Sequence, residues 1–150
     1  MTKQEFKKII EYAIEREIEA ASFYHNLQNT VKHESSRQTL LDLEHMEIGH
    51  KTLLENLTNE GIDSYIPPII TNMMISELLK EPELDQSASF QEILIVAIKR
   101  EEVANKLYLT LSEGSETPET KNLFLKLATE EAKHKLQLES LYDREVLIEN

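Results

Sequence analysis

Two four-residue words recur in this chain, Glu47-Ile48-Gly49-His50 and Glu131-Ala132-Lys133-His134, each holding a carboxylate and an imidazole three positions apart. On a helix that spacing puts both groups on one face, where they can grip the same ion. Two further glutamates, Glu17 and Glu101, lie 30 residues before Glu47 and Glu131 respectively. The set is four carboxylates and two imidazoles, a mixture of oxygen and nitrogen donors that suits iron and manganese, with zinc or copper able to intrude on affinity alone. Four ionised carboxylates in one apolar site would repel each other and lose their hydration. Two divalent cations offset that charge, and two neutral imidazoles complete the ligand shell.

These six positions fall where a hydrophobic seam should run. Alternating four- and three-residue steps in the first helical segment pick out Phe6, Ile10, Ala13, Glu17, Ala20, Tyr24, Leu27 and Val31. The second segment gives Leu40, Leu43, Glu47, His50, Leu54 and Leu57. The third gives Phe90, Leu94, Ala97, Glu101, Ala104, Tyr108 and Leu111, and the fourth Phe124, Leu127, Glu131, His134, Leu138 and Leu141. Such seams pack the interior of a four-helix bundle, so the six polar residues are expected to point inward at one level.

The elements that must position them occur twice. Residues 1–66 placed on residues 85–150 give 17 identities without a gap, against roughly five or six by chance, the mark of an internal duplication. Glu17/Glu101, Tyr24/Tyr108, Glu47/Glu131 and His50/His134 are among them. Thr2 with Glu5 forms a capping box that opens a helix of about residues 3–31. A second helix runs from about 35 to 59 and stops near Gly61. Ser89 with Glu92 caps a third that ends at Gly114, and Thr117-Pro118 opens a fourth that reaches about 143 and frays through the last residues. Short turns make each half an antiparallel hairpin. The link between halves, about 60–88, is long enough to run the length of a 25-residue helix, about 37 Å, with a short helix expected near 73–80. The expected fold is all-α: one domain, 1–150, an up-down-down-up four-helix bundle with a long crossover between helices 2 and 3.

Composition excludes several classes. A formal charge of −12 argues against nucleic acid and against an anionic membrane surface. With no cysteine, disulfides, thiolate nucleophiles and iron–sulfur clusters drop out. The longest uncharged run, from Ser64 to Ser76, contains a Pro pair and is too short to span a bilayer. A cytoplasmic protein is expected.

A lone Glu-x-x-His is a common accident in a Glu-rich chain, and its default place is a solvated helix face. What sets these two apart is that both lie on their seams, repeat at the same offset, and are joined by two seam glutamates. His25, His33 and His45 have no counterpart in the repeat and are expected at the surface, as are Glu44 and Glu130. Tyr24 and Tyr108 read first as packing residues, with a hydrogen bond to a metal-ligating glutamate as the second reading. Arg16, Arg100, Lys51 and Lys135 are expected in flanking salt bridges, and Met73-Met74 in crossover packing. Gly49 costs a helix interior about 1 kcal/mol relative to Ala.

One Glu, one Glu-x-x-His, one Glu and one Glu-x-x-His on four helices resembles the ferritin-like di-iron carboxylate template. The stretches 17–24, 47–50, 101–108 and 131–134 look most like the erythrin or rubrerythrin branch, and the resemblance covers nearly the whole chain. It implies that Glu47 and Glu131 bridge two metals, that Glu17 and Glu101 are terminal ligands, and that His50 and His134 each cap one metal. It also implies iron as the leading metal, hydrogen peroxide or dioxygen as oxidant, and pairing of two chains along their helices. Two departures stand out. Rubrerythrins carry a cysteine-ligated iron domain, for which this chain has no cysteine. They also have an extra Glu three residues after the third-helix ligand, where this chain has Ala104.

Three functions compete. The first is a di-iron oxidoreductase of peroxidase or ferroxidase type, re-reduced by a separate electron-donor protein; manganese in its place would favour peroxide disproportionation. The second is a non-enzymatic iron-handling or sensing module that loads about two metals and stops. The third is a structural bundle with protonated central carboxylates.

Overall fold

A computed structural model describes residues 1–59, 61, 65–70, 79–80, 82–85 and 87–147. Four long helices account for most of them: α1, Lys3–Leu27; α2, Glu34–Asn59; α3, Phe90–Gly114; and α4, Pro118–Tyr142, followed by one π-helical turn, Asp143–Leu147. There is no strand among the described residues, so the expected all-α class is what the structure shows. The chain divides into two compact units, Met1–Pro67 and Pro68–Asn150, each built on one antiparallel hairpin. Most of the short helix expected near 73–80, and Met73-Met74 with it, lies outside the described residues.

In the first unit α1 and α2 pair. Thr2 caps α1, its hydroxyl accepting from the Glu5 amide at 3.1 Å. The helix ends at Leu27 rather than near 31. There Thr30 donates through both its amide and its hydroxyl to the Leu27 carbonyl, at 3.0 and 2.8 Å, while Arg37 donates to the Gln28 carbonyl at 3.1 Å. The terminal carbonyls find these partners off the helix axis, and the chain turns early. Val31 still buries its side chain. Beyond α2, Gly61 takes φ 98°, the left-handed conformation that only glycine adopts without strain.

In the second unit α3 and α4 pair. Ser89 caps α3 through the Glu92 amide and Thr117 caps α4 through the Thr120 amide, with Pro118 opening that helix. Cross-helix bonds run in falling register as an antiparallel hairpin requires: Gln91 to the Tyr142 hydroxyl at 2.7 Å, Lys135 to Glu102 at 2.9 Å, and Ser112 to the Lys121 carbonyl at 2.9 Å. Before α3, the Ile69 amide donates to the Gly114 carbonyl at 2.8 Å, which ties the 65–70 segment to the C-terminal end of that helix. The turn after α4 does not fray as expected: it widens into a π-turn and buries Glu145.

The seam leucines are buried throughout: Leu40, Leu43, Leu54, Leu94, Leu111, Leu127, Leu138 and Leu141 are all 0 % exposed. Each contributes on the order of 2 kcal/mol to burial. Phe90, at the start of its seam, is half-buried.

Candidate metal centre

The six chemically interesting residues sit on these leucine seams, one or two turns from fully buried side chains. None is more than 3 % exposed. In the first hairpin Glu17 on α1 meets Glu47 and His50 on α2, each offering one ligand atom within 4.8 Å of the others. His50 Nδ1 lies 3.6 Å from Glu17 Oε2. The second hairpin repeats the pattern with Glu101, Glu131 and His134, again within 4.8 Å. His134 Nδ1 is 3.8 Å from Glu101 Oε2 and 3.7 Å from Glu131 Oε1.

Those separations decide what the contacts are. Between 3.6 and 3.8 Å, nitrogen and oxygen are too far apart for a hydrogen bond. Two ligands held about 2.0–2.2 Å from a shared cation stand roughly 3–4 Å from each other. In both hairpins Nδ1 is the ring nitrogen that faces the carboxylates, so it is the imidazole atom placed to ligate. Two carboxylates and one imidazole per hairpin is a donor set that fits iron, manganese or zinc. The buried acidic and histidine clusters therefore fit a metal site.

The surroundings differ from expectation at Glu44, at Arg100 and at Glu130, which is half-buried. Glu44 is not simply solvated: its side chain is 16 % exposed and takes His25 Nδ1 at 3.1 Å and Gln28 Nε2 at 2.7 Å. His25, His33 and His45 are exposed as expected. Arg16 pairs with Glu19 at 2.9 Å and lies over the Tyr12 ring at 5.0 Å, a cation–π contact. Its repeat partner Arg100 instead donates to the Pro82 carbonyl at 3.4 Å. Lys51 reaches Glu55 on its own helix at 3.9 Å, whereas Lys135 crosses to Glu102. That bond holds the Glu102 carboxyl below the usual carboxylate range and raises the Lys135 ammonium.

Tyr24 and Tyr108 are buried, Tyr108 stacked on Phe124 with ring centroids 6.4 Å apart and Tyr24 edge-on to Phe23 at 5.8 Å. These ring contacts are the packing role read from the sequence. Sequence reasoning missed Asn105, which donates to the Ala128 carbonyl at 2.6 Å. Its only sequence signal is that a polar residue stands one turn after Glu101 where the first half has Ala21.

Four long helices paired as two hairpins, each with carboxylates and an imidazole buried inside, are elements that also make up ferritin-like carboxylate bundles. A rubrerythrin family model matches residues 92–148, the stretch that holds Glu101, Glu131 and His134. The chain shares its fold with a hypothetical protein from Pyrococcus furiosus, at 25 % identity and a TM-score of 0.71, over 92 % of this chain and 88 % of that one. No curated protein matches the chain. No helix among the described residues is long and apolar enough to cross a membrane.

Proposed function

We propose that Glu17, Glu47 and His50 together with Glu101, Glu131 and His134 hold two metal ions, iron foremost, and that the protein is a di-iron oxidoreductase acting on hydrogen peroxide or dioxygen. The observation that carries this is the burial of the same three ligands, two glutamates and a histidine, facing each other in both hairpins. The likeness to rubrerythrin over residues 92–148 supports it. A ferrous pair supplies two electrons at one place, which is what reduction of a peroxide O–O bond consumes.

The chain's own part is to bind, orient and keep dry. Glu17, Glu47, Glu101 and Glu131 would hold the ions through carboxylate oxygens, and His50 and His134 through the Nδ1 that faces those carboxylates. The leucines along the four seams exclude bulk water, which strengthens each charge interaction at the centre. We assign the supply of reducing equivalents to a separate electron-donor protein.

Elemental analysis of protein purified without added metal or chelator tests the reading first. Two iron atoms per chain are expected, followed by many cycles of peroxide consumption when a reductant is supplied. Loading of two iron atoms with no turnover would assign the chain to iron handling, and two manganese atoms with oxygen release to peroxide disproportionation. Failure to bind metal after anaerobic Fe(II) addition would end the proposal.

A further inference from the structure

The duplication makes the two hairpins directly comparable, and the cross-helix ties around their ligands are not the same. In the second hairpin two ties bracket the site. Glu102, next to Glu101, receives Lys135, next to His134, at 2.9 Å. Asn105, one turn after Glu101, donates at 2.6 Å to the carbonyl of Ala128, three residues before Glu131. One end of that second bond is backbone, so it fixes the height of α3 against α4 with little rotamer slack.

The first hairpin has Ile18 where the second has Glu102, and Ala21 where it has Asn105. Ile18 carries no charge and is 46 % exposed; the equivalent lysine, Lys51, turns to Glu55 on its own helix. Ala21 has no side-chain donor. The tie at Glu44 goes instead to His25 and Gln28. These lie about 12 and 16 Å along α1 from Glu17, at 1.5 Å per residue. Between Glu47 and His50 stands Gly49, whose added Cβ would meet nothing within 4 Å, where the second hairpin has Lys133. Glycine leaves the α2 backbone freer between its two ligands.

Resting on the di-metal reading above, we infer that the two half-sites are unequal, with Asn105 and the Glu102–Lys135 pair as positioning residues that make the second hairpin take metal first and more tightly than the first. A half-site already held in shape loses less freedom when it closes on an ion. Partners of this outer kind change metal affinity on the order of tenfold or more, so two separable binding steps follow.

The test is anaerobic Co(II) titration of the metal-free protein, followed by the visible d–d absorption and by calorimetry. Wild type should show two steps whose Kd values differ on the order of tenfold. His134→Gln should remove the tight step and His50→Gln the weak one. Asn105→Ala should bring the tight step toward the weak one and leave the weak step in place. The reverse graft, Ile18→Glu with Ala21→Asn, should tighten the weak step, and it carries the test even if Asn105→Ala fails to fold. Equal or inseparable steps in wild type, or loss of the tight step in His50→Gln, would overturn the inequality while leaving a metal protein. No Co(II) uptake at all would overturn the metal reading itself, and the inequality with it.

Discussion

Replacing Glu47 by Leu should stabilise the metal-free protein and destabilise the metal-loaded one, so that the two melting temperatures move in opposite directions. Glu47 is 1 % exposed and stands in α2 between Leu43 and Leu54, both fully buried on the same seam. A leucine there continues a face that already accepts leucine, and it removes a carboxylate crowded by Glu17 and His50 within 4.8 Å. Exchange of buried charge for apolar side chains of similar volume is neutral to stabilising by about 1–4 kcal/mol. At about 2–4 °C per kcal/mol for a chain of this size, a gain of a few degrees is expected without metal. With metal at a hundred times its Kd, wild type gains about 2.7 kcal/mol from each site. The variant lacks one of the proposed ligands and should forfeit most of that gain. Thermal unfolding by circular dichroism, with and without Mn(II), reads both effects. If the metal-free variant loses several degrees, Glu47 is held by structural bonds that a metal does not supply. If it gains as much from Mn(II) as wild type, Glu47 is not a ligand.

Gly49→Ala, on the exposed side of α2 with nothing within 4 Å of the added methyl, should stabilise by about 1 kcal/mol in denaturant unfolding; a loss would show that the position needs glycine. Gly114→Ala should go the other way by about 1–3 kcal/mol, because its Cβ would fall 2.8 Å from the Ile69 carbonyl oxygen, and unchanged stability would mean that the 65–70 segment is not seated there. The Glu102–Lys135 link has a pH signature. The Glu102 carboxyl is lowered, so its contribution is complete above the ordinary carboxylate pKa and fades as pH falls through the lowered value. The Lys135 ammonium is raised, so its contribution holds below the usual lysine pKa and fades only as pH climbs through the raised one. Melting temperatures of wild type and Lys135→Gln should therefore differ at pH 7 and converge toward pH 3; a constant gap would assign the difference to packing.

Much of this is legible in the sequence because the seams are strict. An apolar periodicity that breaks at the same place in all four helices marks Glu17, Glu47, Glu101 and Glu131 as inward from their spacing alone, and all four are buried in the fold. The caps at Thr2, Ser89 and Thr117 set three helix starts for the same local reason. What periodicity does not carry is the competition at helix ends. The early stop of α1 at Leu27 depends on Thr30 and on Arg37, which comes from the next helix, and the π-turn at Asp143–Leu147 depends on burying Glu145. Glu44 escapes a periodicity argument because it lies beside the seam, and only the packing of α1 shows that His25 and Gln28 reach it. Asn105 and Glu102 stay hidden because they do not repeat. A duplication draws the eye to what is shared, whereas the difference between the halves lies where they diverge.

The ring contacts of Tyr108 and Tyr24 also have an optical consequence. The chain has five tyrosines and no tryptophan, so its near-ultraviolet emission belongs to tyrosine alone. Two of the five are buried at 1 and 2 % exposure. They sit seven residues, about 10 Å along the helix, from Glu101 and Glu17. A paramagnetic ion bound by those glutamates would quench light from inside the protein and spare Tyr142 at the far end of α4. Metal occupancy is thus readable in a plain fluorescence cell, with no label attached and no residue changed.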